Sequence, residues 1–212
     1  MTEAEWLACE DSGRMLAFLG TKASARKLRL FATAGCRLVA HMLLPESQAG
    51  IDLAERVADG LADEHERKRG RERALQVGWH EDGLSMHQRG PAKSAVAHAM
   101  ARKPQDAATN VMFQLGWMCG ELPALLRDII GNPFGPTILD ATWKMPAVLS
   151  LAQAAHDERT LPSGHLDNTR LAVLSDALED AGCTDADVLD HLRSPGHHVR
   201  GCWALDLVLG KS

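Results

Sequence analysis

The chain contains no tyrosine, and its aromatic residues, five Trp and four Phe, make up only 4% of 212 positions. A core with so few rings must be built from Leu, Ala, Val and Met, a choice that favours helices over sheets. Also lacking is any uninterrupted apolar run near the roughly 20 residues that a membrane helix needs. A soluble protein without membrane association is therefore expected. The opening MTEAEW is acidic where a secretory leader is basic and then apolar. Excess positive charge is missing as well: the formal net charge is -5, which argues against a phosphate-backbone binder and makes nucleic acid an unfavoured partner.

Disulfide pairing has little basis. The five cysteines are odd in number and scattered at 9, 36, 119, 183 and 202, so reduced thiols and a cytoplasmic location are expected. No Gly-x-Ser-x-Gly, P-loop, His-Glu-x-x-His or dinucleotide fingerprint occurs. None of the common spacing-defined reactions is therefore indicated.

What is present is a globular composition, 45% hydrophobic and 24% charged, in a chain long enough to bury about 70% of its unfolded surface. Thr2 and Glu5 form a capping-box pair for a first helix, with a break at Asp11-Ser12-Gly13. Ser24 caps a second whose Leu28, Phe31, Gly35, Leu38 and Met42 recur at helical steps, and Pro45 closes it. Ile51 to Leu61 opens another, which runs into HERKRGRER. That run is basic but has no interleaved aromatics to stack bases, so it reads as a solvated face.

Residues 78 to 90 have three glycines and no period, and read as a polar loop holding His80, Glu81, Asp82 and His87. Pro91 is placed at the start of an Ala-rich helix, and Asp106 or Thr109 at the start of the next. Pro123 forces a kink or a fresh start before Leu125, Leu126, Ile129 and Ile130, and Gly131-Asn132-Pro133 stops that helix. A helix follows Pro146, then an irregular stretch 157–168, then a helix from Arg170 to Ala181 with Gly182 as its left-handed cap. Thr184 and Asp187 suggest a capping box for a short helix. The last element, 199–209, alternates like a strand but has no partner strand, and is read as a helix.

The expected architecture is all-α: a multi-helix bundle over 1–131 and a smaller C-terminal helical subdomain over 132–212 docked on it.

The unusual chemistry lies near the end. Cys183, His191, one of His197 and His198, and Cys202 form a thiolate and imidazole set of the kind tetrahedral zinc uses, and His198 and Cys202 would stand one helical turn apart. Their spacing departs from the close pairs of familiar zinc modules. A calcium loop starting at Asp185 fails, since Asp190 stands where Gly is needed and Gly196 where Glu is needed. Arg200, Trp203 and Asp206 form a structural or interaction group. Asp206 falls on the apolar side of its helix, where a carboxylate needs a partner such as Arg200 or Lys211.

The blocks EAEWLACED, KLRLFATAGCR, LLRDIIGNPFGP and LSDALEDAGCTDADVLDHLRSPGHHVRGCWALDLVLGK resemble blocks recurring in a large paralogous family of uncharacterised bacterial proteins, sometimes beside repeat or SUKH-type immunity-like domains. The resemblance covers most of the chain and implies kinship without an assigned activity. Where that pattern carries further cysteines, this chain has Ala34-Gly35 before Cys36 and Leu192 after His191, departures that weigh against a metal role. The expected function is a non-catalytic protein-interaction or regulatory module with no cofactor and an unknown protein partner. The alternative is a metal-dependent (zinc) or thiol enzyme with its site near Cys183, His191, His198 and Cys202.

Overall fold

Short-range signals at the start of the chain set its first helix ends. In the computed structural model, residues 1–76, 86–135 and 137–211 are described, with the backbone alone over 86–89. Thr2 N donates to Glu5 Oε2 at 2.7 Å and Glu5 N donates to Thr2 Oγ1 at 3.2 Å. This capping box satisfies two free donors and starts α1 (Glu3–Ala8). Asp11 accepts from Arg14 N to start α2 (Ser12–Leu19), and Ser24 accepts from Lys27 N to start α3 (Ala25–Leu38). The sequence places Pro45 at a helix end. In the structure it is instead the first residue of α4 (Pro45–Ala58), where its missing N–H leaves no bond unmade.

The chain continues through α5 (Glu64–Gln76), α6 (Met86–Ala99), α7 (Pro104–Leu115), α8 (Leu122–Ile130) and α9 (Pro146–Asp157). A two-residue hairpin follows, β1 (Arg159–Thr160) and β2 (His165–Leu166), then α10 (Asn168–Asp180), α11 (Ala186–Arg193) and α12 (Trp203–Leu209). The protein is all-α: 67% of the described residues are helical, in twelve α-helices and two short 3-10 turns, beside one two-stranded sheet. No helix among the described residues is long and apolar enough to cross a membrane.

Three local readings shift. Helix α6 begins inside the expected loop and carries Pro91 in its interior, not at its start. His80, Glu81 and Asp82 lie outside the described residues, as does the side chain of His87. Helix α7 starts with Pro104 at its first turn, ahead of Asp106 and Thr109. Helix α11 is capped by Asp185, whose carboxylate accepts from Val188 N, in place of the expected Thr184.

The chain divides into two compact units, Met1–Leu126 and Arg127–Ser212, and the division falls within α8. In the first, α3 lies against α4, α6 and α7, with Leu30, Phe31, Ile51, Met100 and Leu115 fully buried. A buried ion pair spans α3 and α4, where Arg37 Nε meets Glu55 Oε1 at 3.1 Å and the same guanidinium also reaches Asp52. Within HERKRGRER only Arg67 turns inward, forked onto the Glu64 carboxylate at 2.6 and 2.7 Å and bonded to the Met100 carbonyl oxygen. Lys68, Arg69, Arg71 and Arg73 are exposed, as a solvated face requires.

In the second unit, α10 packs on α9 and α11, and α12 packs on α9 and α11. Their shared core holds Leu171, Leu174, Leu178, Val188, Leu192, Leu205 and Val208, with Cys183 and Cys202 among them.

Candidate metal centre

Three backbone devices set the site. Helix α8 ends at Gly131, whose φ of +74° ends the helix in the left-handed region; a Cβ there would stand 2.9 Å from Trp203 Cγ. Only glycine admits that indole so close to the α8 end. Helix α10 ends in a Schellman motif: Gly182 N donates to Glu179 O at 2.9 Å and Cys183 N to Leu178 O at 2.9 Å, with Gly182 at φ +93°. The third is the segment between α11 and α12, which runs beside the hairpin. Leu166 N donates to His198 O at 2.9 Å, and Asn168 Nδ2 donates to Gly196 O at 3.2 Å. The expected irregular stretch thus supplies a short strand, and His165 bridges Val199 in antiparallel fashion.

These devices gather Asp128 from α8, His191 from α11, His198 from the segment and Cys202 at the N-cap of α12. One ligand atom from each lies within 4.8 Å of the others. Asp128 Oδ1 is 2.8 Å from His198 Nδ1 and 3.2 Å from His191 Nε2. Cys202 Sγ is 3.2 Å from His191 Nε2 and 3.8 Å from His198 Nδ1. Both histidines therefore turn a single ring nitrogen toward the carboxylate and the thiol together. A Cys–His–Asp relay needs the opposite, one nitrogen toward the thiol and the other toward the carboxylate. Convergence on a common point is what coordination of a cation requires.

The spacing agrees with that requirement. Zinc bonds of about 2.0–2.3 Å imply ligand-to-ligand edges of roughly 3.3–3.7 Å in a tetrahedron. The four separations above scatter about that range. The charges also balance, since one carboxylate and one thiolate neutralise a divalent ion and two neutral imidazoles add none. A buried site favours that neutrality.

Outer partners orient most of the set. Asp128 Oδ2 accepts from Val199 N at 2.9 Å, leaving Oδ1 for the centre. His198 Nε2 donates to the Ser194 carbonyl at 3.2 Å, with Ser194 Oγ at 3.1 Å, which leaves Nδ1 as the lone-pair nitrogen. Burial opposes charge on Asp128, but hydrogen bonds from His191 and His198 outweigh it and hold the carboxyl below its usual range. Burial likewise opposes protonation of His198, and Asp128 outweighs it, raising that imidazole.

The structure brings together three of the four residues that the sequence groups, His191, His198 and Cys202, and supplies Asp128 in place of Cys183. Cys183 follows the glycine of the Schellman motif and packs into the apolar core, where burial raises its thiol pKa. Such a residue behaves as a small hydrophobe. Asp128 is hidden from sequence spacing because it precedes His191 by more than sixty residues; its one local sign is a carboxylate set among Leu125, Leu126, Ile129 and Ile130. Trp203 borders the centre, its ring 5.0 Å from that of His191. Asp206 is buried on the apolar side of α12, as its position in sequence implies. Half-buried Arg200 lies close enough to His156 to disfavour its protonation. Lys211 Nζ donates to His156 Nε2 at 3.0 Å.

No family model matches the chain, and no curated protein or solved structure matches it.

Proposed function

We propose that this protein is a non-catalytic, cytoplasmic helical module whose C-terminal unit is fastened by one zinc ion, held by Asp128 Oδ1, His191 Nε2, His198 Nδ1 and Cys202 Sγ. The observation that carries this reading is the convergence of one nitrogen from each imidazole on the same carboxylate oxygen and the same sulfur. Four protein donors fill a tetrahedron and leave no position for substrate, which marks structural zinc rather than the open catalytic kind. Five free thiols accord with a reducing compartment. Work on another protein is the role left to such a module. Phe113 in the last turn of α7 and Trp117 in the turn just beyond it, both more than 60% exposed, support a protein partner.

The test is metal analysis of untagged full-length protein purified without chelator. One equivalent of zinc is expected; less than about a tenth of an equivalent, before and after incubation with zinc, overturns the reading.

A further inference from the structure

The four ligands are not held equally. Cys202 and His198 have side chains at 0 and 2% exposure and Asp128 at 7%, whereas the His191 side chain is 19% exposed. Asp128 and His198 are each braced from behind, by Val199 N and by Ser194. Cys202 is anchored through its backbone, its N–H donating to Val199 O and its carbonyl accepting from Asp206 N, both at 2.9 Å. The His191 ring has no such brace. Its Nε2 faces the centre, and its Nδ1 has no hydrogen-bonding partner among the described residues. What positions it is contact with two rings, His198 edge-on at 4.8 Å and Trp203 at 5.0 Å.

Resting on the zinc reading above, we propose that His191 is the gate ligand of the centre, the donor that swings aside to let the metal enter and leave. In the exchange step the bond between His191 Nε2 and the metal breaks. A water oxygen, or a carboxylate or thiolate donor of a competing chelator, makes the fourth bond in its place. No electron is transferred, and the imidazole leaves as the neutral ring. Rotation of this side chain breaks no hydrogen bond to protein, since Nδ1 has none to lose, and it opens the face of the site that already meets solvent. Moving His198 instead would strip the Ser194 carbonyl of its donor, and moving Asp128 would strand Val199 N–H in the interior. Trp203 acts as the backstop, because contact with its indole keeps the His191 ring turned inward.

The experiment loads full-length protein with cobalt(II) or zinc and times metal transfer to a chromophoric chelator. His191→Ala is expected to keep one equivalent of metal and to release it faster by on the order of tenfold or more. Its cobalt absorption should weaken as water enters the fourth position. Trp203→Leu removes no donor atom, only the ring against His191, and should also speed release while keeping the wild-type cobalt spectrum. His198→Ala should fail to hold metal. Loss of binding in His191→Ala as complete as in His198→Ala overturns the proposal, and so do wild-type release rates in both His191→Ala and Trp203→Leu. Should His191→Ala fail to fold by circular dichroism, the Trp203→Leu rate alone decides. Absence of metal from the wild type is a different outcome, which removes the zinc reading and the gate with it.

Discussion

Asp128 and His198, seventy residues apart in sequence, meet at 2.8 Å through Oδ1 and Nδ1, both side chains almost fully buried. The pair ties the end of α8 to the segment before α12. In the metal-free protein, replacing Asp128 with Asn takes a charged partner from the protonated His198 ring, and the loss should destabilise the C-terminal unit by about 3 kcal/mol, the scale for removing one member of a buried pair. Urea unfolding followed by circular dichroism measures this; a loss under about 1 kcal/mol would show that the pair contributes little.

The two buried cysteines of this unit should separate cleanly. On the zinc reading, Cys202→Ser is expected to lower bound zinc well below one equivalent, since the sulfur is one of the four proposed donors. Cys183→Ala should leave the metal content at one equivalent and cost about 1 kcal/mol through lost packing. Equal loss of metal in both variants would place Cys183 back among the ligands.

Gly131 should not tolerate a side chain. Its φ of +74° strains any other residue, and a Cβ would press on Trp203 Cγ at 2.9 Å. Gly131→Ala is expected to cost about 1–3 kcal/mol and to shift tryptophan emission. A melting curve and spectrum like those of the wild type would show that α8 and Trp203 can separate freely.

Acid should weaken the fold through His156. Its ring is buried, with Nδ1 2.8 Å from Asp157 Oδ1 and Nε2 accepting from Lys211. Burial, aided by the Lys211 and Arg200 charges, outweighs the pull of Asp157 and lowers its pKa below the ordinary 6.5. In the window between the lowered value and 6.5 the unfolded chain binds more protons than the folded one, so stability falls as pH falls through it and levels off below. Above 6.5 the ring is neutral in both states and its contribution is constant. His156→Gln should remove this slope; parallel stability curves for the two proteins across the window would sink the assignment.

The N-terminal unit has its own buried charge. Glu55→Ala removes the buried carboxylate that meets Arg37 Nε at 3.1 Å, and should cost about 3 kcal/mol while metal content stays the same. A smaller cost, under about 1 kcal/mol, would mean that the remaining partners of the guanidinium, Asp52 among them, satisfy it.

Much of the secondary structure was legible because it is local. Thr2 with Glu5, Ser24, Pro146 and Gly182 each act within one turn of helix, and the structure places helix ends beside all of them. Local signals failed where two neighbours competed for one role. Asp185, not Thr184, caps α11, and Pro45 opens a helix it could equally have closed. The hairpin was missed because two residues per strand give no alternation to detect.

By itself the sequence determined the helical class, through the absence of tyrosine and the three- and four-residue spacing of its apolar side chains. It also marked His191, His198 and Cys202 as residues of interest. Only the tertiary structure decided which of the marked residues meet. The end of α8 brings Asp128 to them, and the Schellman motif turns Cys183 into the core instead. Helix formation depends on neighbours within a turn, whereas a cation centre depends on where distant helices cross, which ligand spacing in the chain does not encode.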